Sequence, residues 1–260
     1  MDTSRNWESQ KFYSGTSGLV LPVPKVLYPP EFREKSRLIY YASLFNSIEI
    51  NSSFYKLPKE STVAKWRDMV PKGFRFTFKI PKSISHARFL DFDPNEVKAF
   101  MKLISIIAHE KGCVLVQFPP SLRIDKLNAV RRLLDTLQSL DKNSDWNIAA
   151  EFRHSSWYAD KTYKLLEQRS ACMVIHDIPA SATPLIPSTA SFSYFRFHGP
   201  GGRYRGGYIL NDLSKYATQI GKLIAKGKTV YCYFNNTMGD AVKDLQSLNK
   251  LVATDKSVAE

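Results

Sequence analysis

Short apolar runs with a period of two alternate with longer amphipathic runs along this chain, and that alternation is its strongest constraint. The short runs fall at 11–18, 47–55, 74–80, 113–118, 147–153, 171–175, 192–198 and 229–235. Helical spacing marks 31–45, 61–69, 94–108, 125–140, 160–169, 212–226 and 240–251. Ser61 and Thr62 mark one helix start, Pro71 and Gly73 its end, and Pro94 sits where a first helical position tolerates proline. Only the stretch 178–191, rich in Pro, Ser and Thr, joins two strands without a helical pattern.

Strands that alternate with helices pair in parallel, because the crossover returns the chain to the same edge. Eight such repeats in 260 residues match an α/β fold of one kind, a single (β/α)8 TIM barrel spanning 1–260 as one domain. The rival is a doubly wound open sheet. It requires a nucleotide fingerprint after the first strand, and GTSG at 15–18 is too short to be one.

The fifth strand shows where function is expected. In NIAAEFRHSSWY (147–158), Asn147, Ala149, Glu151 and Arg153 share one face, while Ile148, Ala150 and Phe152 share the other. The pattern recurs at most strand ends. In a barrel the inward set reads Glu49 and Asn51, Lys79, Gln117, Glu151 and Arg153, Arg196 and His198, Tyr233 and Asn235. The phase of the first and sixth strands leaves Ser17, His176 and Asp177 open. Barrel interiors are normally filled by branched apolar groups, and charge buried there needs partners or water. Salt bridges such as Glu151 with Arg153 or Arg196, and Glu49 with Lys79, would account for some of these residues. Polar groups ending at least six strands, on the face where barrel enzymes keep their sites, point to a functional mouth.

Several chemistries are open there. Arg153 and Arg196 offer planar forks for a carboxylate or phosphate, and the loop 199–207 leaves the seventh strand where barrels often cradle phosphate, with Gly201, Gly202 and Arg205 as candidates. Glu151, with Glu49 or His198, is the candidate for proton transfer. Lys79 could act as a Schiff-base amine if its neighbours lowered its pKa, or as a plain ion-pair partner. A divalent metal held by Glu49, Glu151, His176, Asp177 and His198 is the weaker alternative: no HxH or HExxH spacing supports it, and Lys79, Arg153 and Arg196 would repel a cation. No cofactor is expected.

The 37 basic and 24 acidic residues leave a net charge of +13. This surface draws anions, so nucleic acid is a possible partner beside a small anionic molecule, with aromatics such as Trp157 as contacts. No segment reaches the ~18 apolar residues of a membrane span and the N-terminus lacks a signal-peptide run, so a cytoplasmic protein off the membrane is expected. The spacing of Cys113, Cys172 and Cys232 matches no zinc or redox motif, which leaves buried thiols. The oligomeric state cannot be read.

Seven stretches together resemble a known family: GTSG (15–18), FNSIEINSSFYKLP (45–58), FRFTFKIPKSISH (74–86), LVQFPPS (115–121), AAEFRHSSWY (149–158), FRFHGPGGRYRG (195–206) and VYCYFNN (230–236). In this order they are similar to the DUF72, or YecE-like, family. The resemblance implies a TIM barrel and no established activity. It also implies signature positions at Glu49, Asn51, Lys79, His86, Gln117, Glu151, Arg153, His154, Trp157, Arg196, His198 and Asn235. The family usually carries Trp after GTSG, where this chain has Leu19, which puts in question a stacking contact near the first loop.

Overall fold

The computed structural model describes residues 10–186 and 189–257. Its strand segments are β1 (Phe12–Thr16), β2 (Ser47–Ile50), β3 (Arg75–Lys79), β4 (Lys111–Gln117), β5 (Asn147–Glu151), β6 (Cys172–Met173), β7 (Ile175–His176), β8 (Phe192–Phe197) and β9 (Thr229–Phe234). All of their pairings are parallel. The helices are α1 (Arg37–Leu44), α2 (Glu60–Asp68), α3 (Lys82–Ser85), α4 (Pro94–Ile104), α5 (Leu127–Leu140), α6 (Asp160–Glu167), α7 (Leu210–Ala225) and α8 (Ala241–Ser257). β6 and β7 are halves of the sixth expected strand, so the segments fill eight positions in barrel order. Between β7 and β8 the described residues hold a 3-10 turn, Pro179–Ser181, and no α-helix. No helix among them is long and apolar enough to cross a membrane.

The period of two decides which side chains face inward. Tyr13, Cys113, Leu115, Ala149, Cys172, Val174, Tyr194, Tyr231 and Tyr233 form the enclosed inner cluster. The opposite faces, including Ile48, Phe76, Phe78, Val114, Ile148 and Phe195, pack under the helices in the larger core. This fixes the phase of β1 and the sixth strand: Ser17 follows Tyr13, and His176 follows Cys172 and Val174, on the inner face. The three cysteines are free and buried.

Element ends differ from expectation for local reasons. The run 31–45 becomes α-helical only at Arg37, where the Ser36 hydroxyl caps it by accepting from Ile39 N at 3.3 Å. The second strand stops at Ile50, since Asn51 turns to helical angles and Ser52–Phe54 forms a 3-10 turn.

Backbone ladders divide the strands into a five-stranded sheet, β2-β3-β4-β5-β6, and a four-stranded one, β1-β9-β8-β7. The sixth strand switches partner at Val174, giving β6 to β5 and β7 to β8. At the other seam only one isolated bridge, Ser17 with Glu49, joins β1 to β2. Side chains replace the missing ladder there. Tyr41 Oη accepts from Thr16 N at 2.7 Å and donates to Ser47 O at 3.1 Å. Asn46 accepts from Ser14 N at 2.8 Å and donates to Phe12 O at 2.8 Å. Buried backbone groups are thereby satisfied without a regular sheet. The seam has no room for a side chain at Gly15, where a Cβ would lie 2.0 Å from Ser47 O.

Gly15→Ala should therefore destabilise the protein by about 3 kcal/mol or more, as overpacking against fixed backbone. Gly201→Ala, where a Cβ meets nothing within 4 Å, should leave stability within about 0.5 kcal/mol. Urea unfolding of both variants checks the contrast.

Candidate functional site

Arg196 ends the inner face of β8, and the mouth of the barrel is built around it. Its Nε lies 3.1 Å from both carboxylate oxygens of Glu49, and its Nη2 donates to Glu49 Oε1 at 2.9 Å. Its Nη1 donates to Glu151 Oε2 at 3.2 Å. Its Nη2 also lies 3.4 Å from Asn51 Oδ1. Tyr194, one inward position deeper on β8, donates its hydroxyl to Glu49 Oε2. Arg153 Nε donates to Glu151 Oε1. One guanidinium thus bridges carboxylates from β2 and β5, and a second guanidinium backs Glu151.

His198 completes the cluster. Its Nε2 lies 3.0 Å from Arg153 Nη2 and 3.1 Å from Arg196 Nη1, both obligate donors, so Nε2 accepts. The ring proton then sits on Nδ1, 3.3 Å from Asp177 Oδ1. Asp177 also accepts from the His198 backbone N–H at 2.8 Å and from the Tyr208 hydroxyl. Burial pushes the His198 pKa down to about 4, against the raising effect of the Asp177 hydrogen bond. Burial alone would raise both glutamates. The Arg196 guanidinium outweighs it at Glu49, and Arg153 with Arg196 holds Glu151 well below the usual carboxylate range. Both carboxylates are charged and His198 is neutral.

Lys79 differs from all of these. The expected pair with Glu49 is not formed, because Arg196 takes both Glu49 oxygens. Among the described residues no carboxylate lies within 4.0 Å of Lys79 Nζ. The ammonium instead stands 4.0 Å from the ring centroid of Phe54, with only 9% of the residue exposed. Burial, then the charge of Arg196, lowers its pKa to about 8 against the pull of Glu151 and Glu49. The ring of half-buried His86 packs edge-on to the same Phe54, at 5.0 Å. Burial, then Lys79, Lys82 and Arg153, lowers its pKa to about 4.

Other expected residues are placed differently. Trp157 is a correction: it is fully buried, stacks on Phe152 at 4.4 Å, and donates Nε1 to Leu122 O at 2.7 Å. The turn Ser155–Trp157 tucks it into the outer core, so it offers no stacking surface. Tyr233 is also corrected. It lies one layer below the mouth, its hydroxyl 2.5 Å from Ser47 Oγ and 2.8 Å from Thr77 Oγ1. His154 caps that same turn, its Nδ1 accepting from Ser156 N at 3.1 Å, and no hydrogen bond among the described residues joins its ring to the cluster. Two amides of the loop expected to cradle phosphate are spent within the protein: Gly199 N donates to Tyr208 Oη at 2.7 Å and Gly202 N to Gly199 O at 2.7 Å. Gly201 and Arg205 line a shallow hollow with Pro200, Arg203, Gly206 and Met238, apart from the arginine cluster. Gln117 and Asn235 end β4 and β9 on the inner face at the rim, with Gln117 Nε2 donating to Phe118 O at 2.7 Å. His176 donates Nε2 to Phe152 O at 2.8 Å.

No three His, Cys, Asp or Glu side chains converge as metal ligands among the described residues. Arg196 occupies the place between Glu49 and Glu151 that a shared cation would take. Phe54, Tyr204 and Tyr208 were not singled out by strand alternation. The Tyr204 ring stands edge-on to His198 at 5.5 Å, and its backbone N–H donates to His198 O at 2.8 Å. All three follow strand ends, which was the one available signal.

Residues 13–260 match the family described as Protein of unknown function DUF72. The UPF0759 protein YecE of Escherichia coli (strain K12) is 34% identical over 119 residues, which is 46% of this chain and 42% of that protein. That alignment spans less than half the relative's length. The UPF0759 protein YunF of Bacillus subtilis (strain 168) is 25% identical, covering 84% of this chain and 86% of that protein. The crystal structure of a DUF72 family protein from Thermotoga maritima MSB8 superposes with a TM-score of 0.79 at 26% identity, covering 93% of this chain and 99% of that one. A DUF72 family protein from Enterococcus faecalis V583, at 21% identity, shares the fold with a TM-score of 0.77, covering 93% of this chain and 95% of that one. Leu19, at the family's usual Trp position, packs partly buried against the outer core.

Two outcomes follow from the cluster. Arg196→Met leaves two buried carboxylates facing each other and should cost roughly 3–5 kcal/mol, read by urea unfolding at pH 7. Between about pH 6.5 and pH 4 an unfolded chain protonates its histidines, whereas His198 stays neutral down to about 4. The unfolded state then binds more protons, so stability falls as pH falls through that window. His198→Gln, whose amide oxygen can still accept from both arginines, should lose less stability than the parent between pH 7 and pH 5. Urea midpoints at the two pH values check it.

Proposed function

The chain belongs to the DUF72 family, and on that premise we propose that it is an enzyme acting on a small anionic molecule at the mouth of the barrel by acid–base chemistry. The observation that carries the reading is a pair of cationic groups with unspent donors. Among the described residues, neither Lys79 Nζ nor Arg153 Nη1 has a hydrogen-bond acceptor within the protein. Charge buried without such partners is retained where a ligand completes it. Asn51, Gln117 and Asn235 supply neutral polar groups on the same rim.

The roles follow from protonation states. Glu49 and Glu151 are fixed as carboxylates by the guanidiniums, which makes them counter-ions that aim Arg196 and Arg153. His198, neutral and accepting on Nε2, orients the same arginines. The group able to give and take a proton near neutrality is Lys79, whose amine burial has brought to about 8. Arg153 presents its remaining donors to the anion. A second reading, a nucleic-acid-binding protein, is favoured by exposed Tyr55 and Phe89 on loops at the same end of the strands. Arg88 and Lys126 stand 4.9 Å and 5.3 Å from the Phe89 ring.

A thermal-shift screen against phosphosugars, nucleotides and carboxylates separates the two. For the enzyme reading, one small anion raises the melting temperature and the shift disappears in Arg153→Ala. Shifts confined to single-stranded RNA or DNA, weakening steeply between about 50 and 200 mM salt as counter-ion release requires, would transfer the assignment to nucleic acid.

A further inference from the structure

Lys79 is placed unlike an ordinary surface lysine. Its amine lies under the rim, against the face of Phe54, and has no carboxylate partner among the described residues within 4.0 Å. Two guanidiniums share the mouth, and each is held by a buried glutamate. A lysine serving only as a structural cation would take one of those glutamates. Here the arginines have taken them, and among the described residues the amine is left with no carboxylate in contact.

We infer that Lys79 forms a Schiff base, and that the substrate is a small anionic aldehyde or ketone whose carboxylate or phosphate rests on Arg153. The inference deepens the anion-site reading and rests on it. In the step itself, the Nζ lone pair attacks the carbonyl carbon, a C–N bond forms, and the π electrons move to oxygen. Counted from the ammonium, two of its three protons leave with that oxygen as water. The third stays on the iminium nitrogen, and the charge is conserved. No oxidant or reductant is consumed.

Three features of the mouth suit this step. Only the neutral amine attacks, and burial together with Arg196 lowers the Lys79 pKa to about 8, which leaves a larger neutral fraction near pH 7 than an ordinary lysine has. The iminium carries the positive charge the site already held as ammonium, so Glu49 and Glu151 balance both states. The iminium then withdraws electrons from the adjacent carbon. The reaction class is therefore one that makes or breaks a C–H, C–O or C–C bond next to the carbonyl: isomerisation, dehydration or aldol cleavage. Half-buried His86, neutral and edge-on to the same Phe54 at 5.0 Å, is the imidazole assigned to serve that carbon.

Pyridoxal 5′-phosphate is the probe, since it combines an aldehyde with a phosphate. The full chain is incubated with about one equivalent, reduced with sodium borohydride, digested and mapped by mass spectrometry. The expected result is a reduced pyridoxyl adduct at Lys79 ahead of every other lysine, at least tenfold lower in Arg153→Ala and suppressed by inorganic phosphate. Lys79→Arg and Lys79→Met, checked for folding by their melting transitions, should lose that adduct and keep only slow surface labelling. In parallel, pyridoxine 5′-phosphate, which has the phosphate but no aldehyde, is tested by thermal shift. If it binds in an Arg153-dependent way while Lys79 stays unmodified, the Schiff base is overturned and the anion site stands. If neither binding nor labelling of Lys79 occurs, both readings fall.

Discussion

The contact on which the rest of this structure depends is Arg196 with Glu49 and Glu151. Both carboxylates are fully buried, and two such charges facing each other across a barrel would be untenable alone. A guanidinium from the opposite wall makes them compatible with a dry interior. Glu49 and Glu151 stand on the five-stranded sheet and Arg196 on the four-stranded one. The ion pairs therefore also clasp the two sheets together, close to the seam where the backbone ladder between β1 and β2 shrinks to one bridge. What the backbone omits at that seam is supplied twice over, by Tyr41 and Asn46 beneath and by the arginine above.

The mouth is arranged in two tiers with different duties. The lower tier, Arg196, Glu49, Glu151 and neutral His198, has its donors and acceptors matched and its protonation fixed. The upper tier, Lys79, Arg153 and His86 with Asn51, Gln117 and Asn235 on the rim, keeps the Lys79 amine and Arg153 Nη1 uncommitted among the described residues. A rigid tier under a reactive one is what preorganised electrostatics requires, since charges that need not move when a ligand arrives lose nothing by its arrival. The identity of the buried partners matters for this reason even though none of them needs to touch a ligand.

Much of this was legible in the residues. A period of two in FRFTFKI and NIAAE assigned Phe76, Phe78, Ile148 and Ala150 to the helix side, and Lys79 and Glu151 to the interior, because a strand cannot turn alternate side chains any other way. The missing helix after the sixth strand was visible in the Pro, Ser and Thr of 178–191. What alternation could not convey was choice of partner. It offered Glu49 to Lys79 as readily as to Arg196, and only the folded structure shows which cation reaches it. Position along a strand also hid depth: Tyr233 shares a face with Asn235 but lies a layer lower, locked to Ser47 and Thr77. Trp157 and the amides of Gly199 and Gly202 were misread because turns reverse direction within three residues, and nothing local tells whether such a turn faces water or core.

Order of synthesis gives the clasp one more meaning. Glu49 and Glu151 leave the ribosome well before Arg196, their partner 147 and 45 residues further on. A nascent chain holding β1 through β6 carries both acids and lacks the base that reconciles them. Its half-barrel must keep its mouth hydrated and its strands apart until β8 emerges. Closure of the clasp is thus deferred until β8 has been made.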